Sequence, residues 1–271
     1  MDWSRIESPA YWITFAVTFL AVAQWESMRP ERVWIVPASR RWTRHGILLL
    51  IASLIRMAVL RLSPVGVAAL VSGRGWGLFH APFFQEGAGY AFSIGATVLL
   101  LDLTKYTAHR LLHGFAWLWR IHRVHHSDPD FDVSTGVRFH PLEMIFVGGF
   151  DLVAIWLAAP PLAGVVASLV MGSAINFAEH ANANLPAAWE RRLRPWLITP
   201  LAHRIHHSTE VSDQNSNFGE LVPWWDKLLG TYRETPAAGP EMAVGLPGYQ
   251  NERSLEFGEM LLQPLHASRE P

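Results

Sequence analysis

The chain of 271 residues is 50% apolar and only 17% charged, well under the roughly 25% charged content of an ordinary soluble domain. Its formal net charge of -1 argues against a nucleic-acid partner, which would call for a basic face to neutralise phosphates. The absence of Cys excludes disulfide scaffolds, thiolate zinc sites, Fe–S clusters and Cys nucleophiles. What remains anomalous is the 13 His, which are clustered.

In chain order, the first predicted element is the apolar run Pro9–Met28, long enough for the roughly 20 residues of a bilayer-crossing helix. A secretory signal would want positive charge before it and small residues after it; Asp2, Arg5 and Glu7 precede this run and Trp25 lies near its end, so it reads as a retained helix. Gly46–Val71 is a second, poorer span, interrupted by Arg56, Arg61 and Pro64, and Gly89–Leu103 is a third, ending in DLTKY. Met144–Ala159 and Leu162–Phe177, split by Pro160-Pro161, read as a helical hairpin.

Arg29, Arg32, Arg40, Arg41 and Arg44 lie between the first two runs, and the positive-inside rule assigns that loop to the cytoplasm. Alternation then carries residues 104–143 and 178–271, with the His clusters, to the same side. The fold class predicted is all-α: an integral-membrane helical bundle of about four crossing or hairpin helices with a cytoplasmic, helical, His-rich cap. Residues 1–87 form the N-terminal membrane helices and loops, 88–234 the His-bearing domain, and 235–271 a loosely ordered tail containing Pro and Gly.

Three short segments carry the chemistry: HRLLH (109–113), HRVHH (122–126) and HRIHH (203–207). Helical spacing puts i and i+4, or i, i+3 and i+4, on one face, so each segment presents an imidazole patch. Neutral imidazole is the commonest metal ligand, one nitrogen per ring. Eight His are too many for one metal of three or four ligands and suit two. All-nitrogen donors favour iron, copper, nickel or zinc over magnesium or calcium. His45, His80 and His266 lack partners at ligand spacing and are read as structural or surface rings. The Arg after the first His of each segment is expected to face solvent or lipid headgroups.

DLTKYTAHRLLH (102–113), LWRIHRVHHSDPDFDVSTGVRFHPLE (118–143), NFAEHANANLP (176–186), AHRIHHS (202–208) and NFGELVPWWDKLLGTY (217–232) resemble the fatty acid hydroxylase / sterol desaturase superfamily of membrane di-iron oxygenases, over roughly residues 90–232. The resemblance implies two iron ions, replaceable by zinc, held by His109, His113, His122, His125, His126, His203, His206 and His207, with His180 as a ninth ligand. Some relatives carry a further His at the position of Asn184, so an amide there would meet a metal-bound water. His140 is expected to support the site or the fold and not to ligate. Asp102, Tyr106, Glu143 and Asp226 are expected to stand behind the ligands, Asp102 by orienting an imidazole.

The same resemblance implies O2-dependent hydroxylation or desaturation of a C–H bond in a fatty acyl, sterol, alkyl-lipid or carotenoid substrate. No dinucleotide loop, haem-binding domain or cluster-binding Cys is evident, so electrons are expected from a separate donor protein or reductase, beside the surrounding membrane lipids. The alternative is a transition-metal-binding or transport membrane protein without redox catalysis. A transporter would set polar ligands near the bilayer midplane on broken helices; these lie at one surface.

Overall fold

The computed structural model describes residues 3–239 and 241–266, the side chains from residue 9 onward. Among them the chain is all helical, without named strands. Two long helices open it, α1 Trp3–Met28 and α2 Ala38–Leu60. A short α3, Pro64–Val71, follows a break in which Arg61 takes a left-handed φ of 55°. Ser63 caps α3 by accepting from the Gly66 N–H, with Pro64 at the first helical position, where its missing N–H costs nothing. The interruption expected inside Gly46–Val71 is thus a true helix boundary.

Next come α4 Gly87–Gly114 and α5 Ala116–His126, separated by an extended Phe115. α6 Pro141–Ala158 and α7 Leu162–Glu179 are joined through Ala159, at φ 47°, and the two prolines. The hairpin expectation holds for the connection, but α4 packs against both legs. Its contact with α7 is close: a Cβ on Gly164 would lie 2.6 Å from the Cβ of Thr97. Leu101, Ile155, Val165 and Val166 meet the α3 valines in one apolar cluster there.

Four helical stretches are long and apolar enough to cross a membrane by length and composition: Ala38–Val71, Gly87–Gly114, Pro141–Ala158 and Leu162–Glu179. Even the shortest, 18 residues, spans about 27 Å at 1.5 Å per residue. Their outward faces carry Leu50, Leu54, Met57, Val153 and Leu157, each more than half exposed. Large apolar side chains exposed in this number along membrane-length helices fit lipid and not water. Among the described residues α1, expected as a span, is not one of the four; the side chains of its first turns, up to residue 8, lie outside them. Glu26 is buried and accepts the Val133 and Asn182 N–H groups at 2.7 Å each, tying α1 to the cap.

Beyond the bundle lie α8 Ala187–Leu193, α9 Pro200–His206, α10 Val211–Gln214, α11 Trp224–Leu229 and α12 Phe257–Leu262. They form a cap at the end of the bundle where α4 and α7 finish. The tail departs from its expectation as a loose extension. Met242, Val244, Leu246, Tyr249, Leu255 and Met260 are buried, and Val244 bridges Ser208 beside the last His patch. The cap's polar groups explain the hold: Arg123 Nη2 donates to the Gln263 and His266 carbonyls and Arg138 Nη2 to that of Ser254.

Arg123 is therefore fully buried and Arg204 nearly so, against the expectation that the Arg of each patch faces outward; Arg110 alone of the three is exposed. Arg41 is buried too. It grips Asp128, Asp130 and Asp132 of the loop after α5, with Nη2 donating to Asp128 Oδ2 at 2.8 Å and Nε to Asp132 Oδ2 at 3.0 Å.

Candidate metal centre

Nine imidazoles converge where α4, α5, α7 and α9 end. One group comprises His109 and His113 of α4, His122 and His126 of α5, and His206 of α9; the other comprises His125, His180, His203 and His207. Within each group one nitrogen per ring lies within 4.8 Å of all the others. All are buried except His113, which is half-buried. Each HxxHH segment is divided in the same way. Its i and i+4 rings stay together while i+3 turns to the neighbouring group, so α5 supplies two rings to the first group and one to the second, and α9 the reverse.

Local sequence sets these elements. Thr199 caps α9 by accepting from the Ala202 N–H, with Pro200 following, so a helix of only 7 residues starts at a defined point. His140 caps α6: its Nδ1 accepts from the Leu142 N–H, and its Nε2 faces the Leu261 carbonyl at 3.3 Å. Its part is to start a helix, in keeping with the structural reading of that residue.

Three rings have their rear nitrogen fixed by a backbone carbonyl, an acceptor with no proton to give, and a fourth by a carboxyl oxygen. His109 Nδ1 donates to the Phe218 carbonyl at 2.9 Å, His180 Nδ1 to Asn176 at 2.7 Å and His206 Nδ1 to Ser216 at 2.8 Å. His122 Nδ1 donates to Glu143 Oε1 at 2.7 Å. With Nδ1 protonated, each neutral ring turns a bare Nε2 lone pair inward. The inward nitrogens are crowded: His126 Nε2 is 3.2 Å from His122 Nε2, and His180 Nε2 lies 3.0 Å from His203 Nε2 and 3.2 Å from His125 Nε2. The Nε2 atoms of His109, His113, His206 and His207 are buried with no hydrogen-bond partner. Burial, then neighbouring imidazoles, pushes His122, His125, His126, His203, His206 and His207 well below the usual histidine range. His180 falls to about 4, chiefly by burial and against the pull of its Asn176 bond. Neutral rings with inward lone pairs and unmet nitrogens are a donor set that a transition-metal cation fits and that water fits poorly.

The flanking residues sort differently from expectation. Glu143 touches a ring directly. Asp102 does not: it accepts from the Leu221 N–H at 2.9 Å and from Trp225 Nε1 at 2.9 Å, and so holds the 218–222 loop whose Phe218 carbonyl supports His109. Asp226 accepts the Phe218 and Gly219 N–H groups at 2.8 Å each, and the Tyr106 hydroxyl meets, at 2.8 Å, the Oγ1 of Thr231, which itself donates to Asp226. Asn184 is exposed, and its backbone N–H donates to Arg29 beside the Pro30–Ala183 bridge. The exposed amide thus stands outside the buried ring cluster. His45 is buried with Nδ1 2.8 Å from Ser134 Oγ, His80 is exposed, and His266 Nδ1 lies 3.2 Å from Glu259; none joins either group.

Sequence reasoning missed Glu179, the last residue of α7. Its side chain is 1% exposed, with Oε1 3.8 Å from His180 Nδ1 and 4.0 Å from His203 Nε2 and Oε2 without a partner. The one available signal was its place directly before His180 in a chain this short of charge.

An all-helical chain with membrane-length helices and two buried imidazole groups has the architecture of a membrane protein with a histidine cluster that could bind metal. Among families, the fatty acid hydroxylase profile matches residues 94–231, and the chain belongs to that family. It is 30% identical over 158 residues to an ornithine lipid hydroxylase of Rhizobium tropici, covering 58% of this chain and 47% of that protein. It is 26% identical to human alkylglycerol monooxygenase, over 57% of this chain and 33% of the relative, and 29% identical to human cholesterol 25-hydroxylase, over 50% and 49%. The chain thus spans less than half the length of these relatives. No solved structure matches it.

Proposed function

We propose that the chain is a multi-pass membrane di-iron oxygenase that hydroxylates a C–H bond of a lipid substrate. The observation that carries this reading is the pair of adjoining imidazole groups, five and four rings, with lone pairs turned inward. The printed activities of the relatives, on ornithine lipid, alkylglycerol and cholesterol, favour hydroxylation over desaturation. Overall, C–H, O2, two electrons and two protons give C–OH and water, the electrons coming from a separate donor protein.

His109, His113, His122, His126 and His206 would hold one iron, and His125, His180, His203 and His207 the other. Bound iron supplies the electron transfer to O2 that permits hydrogen removal from an unactivated carbon. The protein does the rest. Glu143 Oε1 accepts the His122 Nδ1 proton and raises that ring's basicity, while the Phe218, Asn176 and Ser216 carbonyls fix three further rings. Arg41 and its three aspartates pin the loop after α5. The Arg-rich 29–44 segment favours, by the positive-inside rule, a cytoplasmic His-bearing cap, with 1–87 read as membrane helices and 88–234 as the catalytic unit. Transport is the weaker reading because the rings sit at helix ends and are closed by a cap.

The test is metal analysis of anaerobically purified protein, followed by lipid mass spectrometry under labelled O2. About two irons per chain and one labelled oxygen per product are expected; a metal-loaded protein that changes no lipid would leave the transport reading.

A further inference from the structure

Part of the cap does not stay at the end of the bundle but runs back along its flank. Leu197, just before α9, and Trp225 of α11 pack on an apolar cluster that Val98 of α4 forms with Leu221 and Val222. Val98 lies eleven residues before His109 in α4, roughly 16 Å down the helix axis at 1.5 Å per residue. Trp225 Nε1 donates to Asp102, one turn above Val98, at 2.9 Å. Both α4 residues belong to the apolar run 89–103 that reads as membrane-crossing. The segments 195–198 and 221–225 therefore sit at the depth of that run.

Non-helical backbone is tolerated at such depth only where the protein itself meets its polar groups. The N–H groups of Trp196, Leu197 and Ile198 donate to backbone carbonyls, and those of Leu221 and Val222 donate to Asp102. Pro195 and Pro223 have no N–H to satisfy. Trp224 Nε1 donates to the Pro195 carbonyl at 2.9 Å and joins the two segments. The outer surface is apolar and aromatic. Trp189, Trp196 and Leu228 are more than half exposed, and Trp224 and Leu229 are exposed with them. Arg191 and Arg192 of α8 are exposed as well, with the Arg192 guanidinium 5.7 Å from the Trp189 ring. The nearby carboxyl of Glu190 is taken by Thr199 and Arg194. Exposed Trp with Arg is the composition of a membrane–water interface.

We propose that this flank, made of α8, residues 195–198 and α11, is immersed in the leaflet on the cap side of the membrane. Trp196, Trp224, Leu228 and Leu229 lie among acyl chains, and Arg191 and Arg192 lie at the level of the phospholipid phosphates. The inference rests on the reading of the long helices as spans, and it adds a lipid contact that no span provides. The occupant is phospholipid and not a soluble protein, because a surface level with Val98 lies where the spans put acyl chains. An amphipathic segment of this kind lies in the interface plane without crossing it.

The test uses the chain's freedom from Cys. A nitroxide is attached through Trp196→Cys, Leu228→Cys, Ser212→Cys or Leu54→Cys in the full chain, held in nanodiscs of phosphatidylglycerol and phosphatidylcholine. Electron paramagnetic resonance reads its collisions with O2, which concentrates among acyl chains, and with a polar nickel chelate, which stays in water. The O2-to-nickel ratio at 196 and 228 should approach that at 54, on the outward face of α2. It should exceed that at 212 by about tenfold or more, a modest exclusion for a polar solute from hydrocarbon. A ratio at 196 and 228 equal to that at 212 overturns the proposal while 54 still reads as lipid-facing; a watery ratio at 54 would instead sink the reading of the helices as spans. Shielding of 196 and 228 from both collision partners would mean that another protein chain covers the flank, and overturns the proposal too. If Trp196→Cys does not purify folded, Leu228→Cys decides, its side chain being 74% exposed.

Discussion

His206 and His140 show how much position decides for the same side chain. His206 Nδ1 is tied to the Ser216 carbonyl and its Nε2 faces four other rings, whereas both nitrogens of His140 are engaged at the start of α6. His206→Ala should lower bound metal by about one equivalent per chain, and His140→Ala should leave metal content intact while lowering the melting temperature, since losing a helix cap costs about 1 kcal/mol. Metal analysis and thermal unfolding on the same samples separate the two. Glu179 belongs at this scale as well. Its buried carboxyl stands beside the four-ring group, 3.8 Å from His180 and 4.0 Å from His203, with Oε2 lacking a protein hydrogen bond. Glu179→Gln keeps the shape and removes the ionisable carboxyl, so iron titration should show one site unchanged and the other weakened by about 10- to 100-fold, the range for partners of metal ligands. Two unaltered sites would show that the carboxyl does not reach the metal.

Helix packing and the loop after α5 set the geometry in which those residues act. Gly164 lets α7 approach α4, and Gly164→Ala puts a methyl into the space of Thr97. That overpacking should cost about 1–3 kcal/mol, seen as a lower unfolding temperature in detergent. The loop is held electrostatically. Burial alone would raise the Asp128 carboxyl, but the Arg41 guanidinium overrides it and holds Asp128 far below the usual carboxylate range. A depressed folded-state value means stability that is complete above the unfolded value, about 3.9, and lost as pH falls below it. Asp128→Asn should therefore destabilise the protein at pH 7, by less than the about 3–5 kcal/mol of an uncompensated buried charge, because Arg41 keeps Asp130 and Asp132. It should also flatten the loss of stability below pH 4. A variant whose acid limb matched the wild type would show that this pair does not govern it.

At the scale of the molecule, the cap depends on distant chain segments closing over the rings. Residues 241–266 supply the carbonyls that receive Arg123 and Arg138, so deleting them should leave two guanidinium groups short of partners and expose the last His patch. Loss of metal together with folded protein is expected, with yield and metal content as the measurements. Orientation is tested on the chain's freedom from Cys. Ser212 beside the cap and Ser72 after α3 are both exposed. A Cys at 212 should react with an impermeant thiol reagent only after the cytoplasm is opened, and a Cys at 72 should react from outside; the reverse pattern would refute a cytoplasmic cap.

Local spacing determined the helices, the three His segments and the family, because apolar runs and i, i+3, i+4 imidazole patches are short-range patterns that survive in one dimension. The break within residues 46–71 was legible for the same reason, through Pro64 and the Arg residues that interrupt the run. Only the tertiary structure decided how nine rings divide into five and four, since i+3 and i+4 part company only once facing helices are present to receive them. It also overturned the outward Arg123 and Arg204, the loose tail, Asp102 as an imidazole partner and Asn184 as a site residue. Each of those assignments depended on what long-range folding brings alongside: Gln263 stands 140 residues from Arg123, and Leu221 119 residues from Asp102. Burial is a property of the assembled chain, and a charged side chain gives no local sign of whether such a partner will arrive.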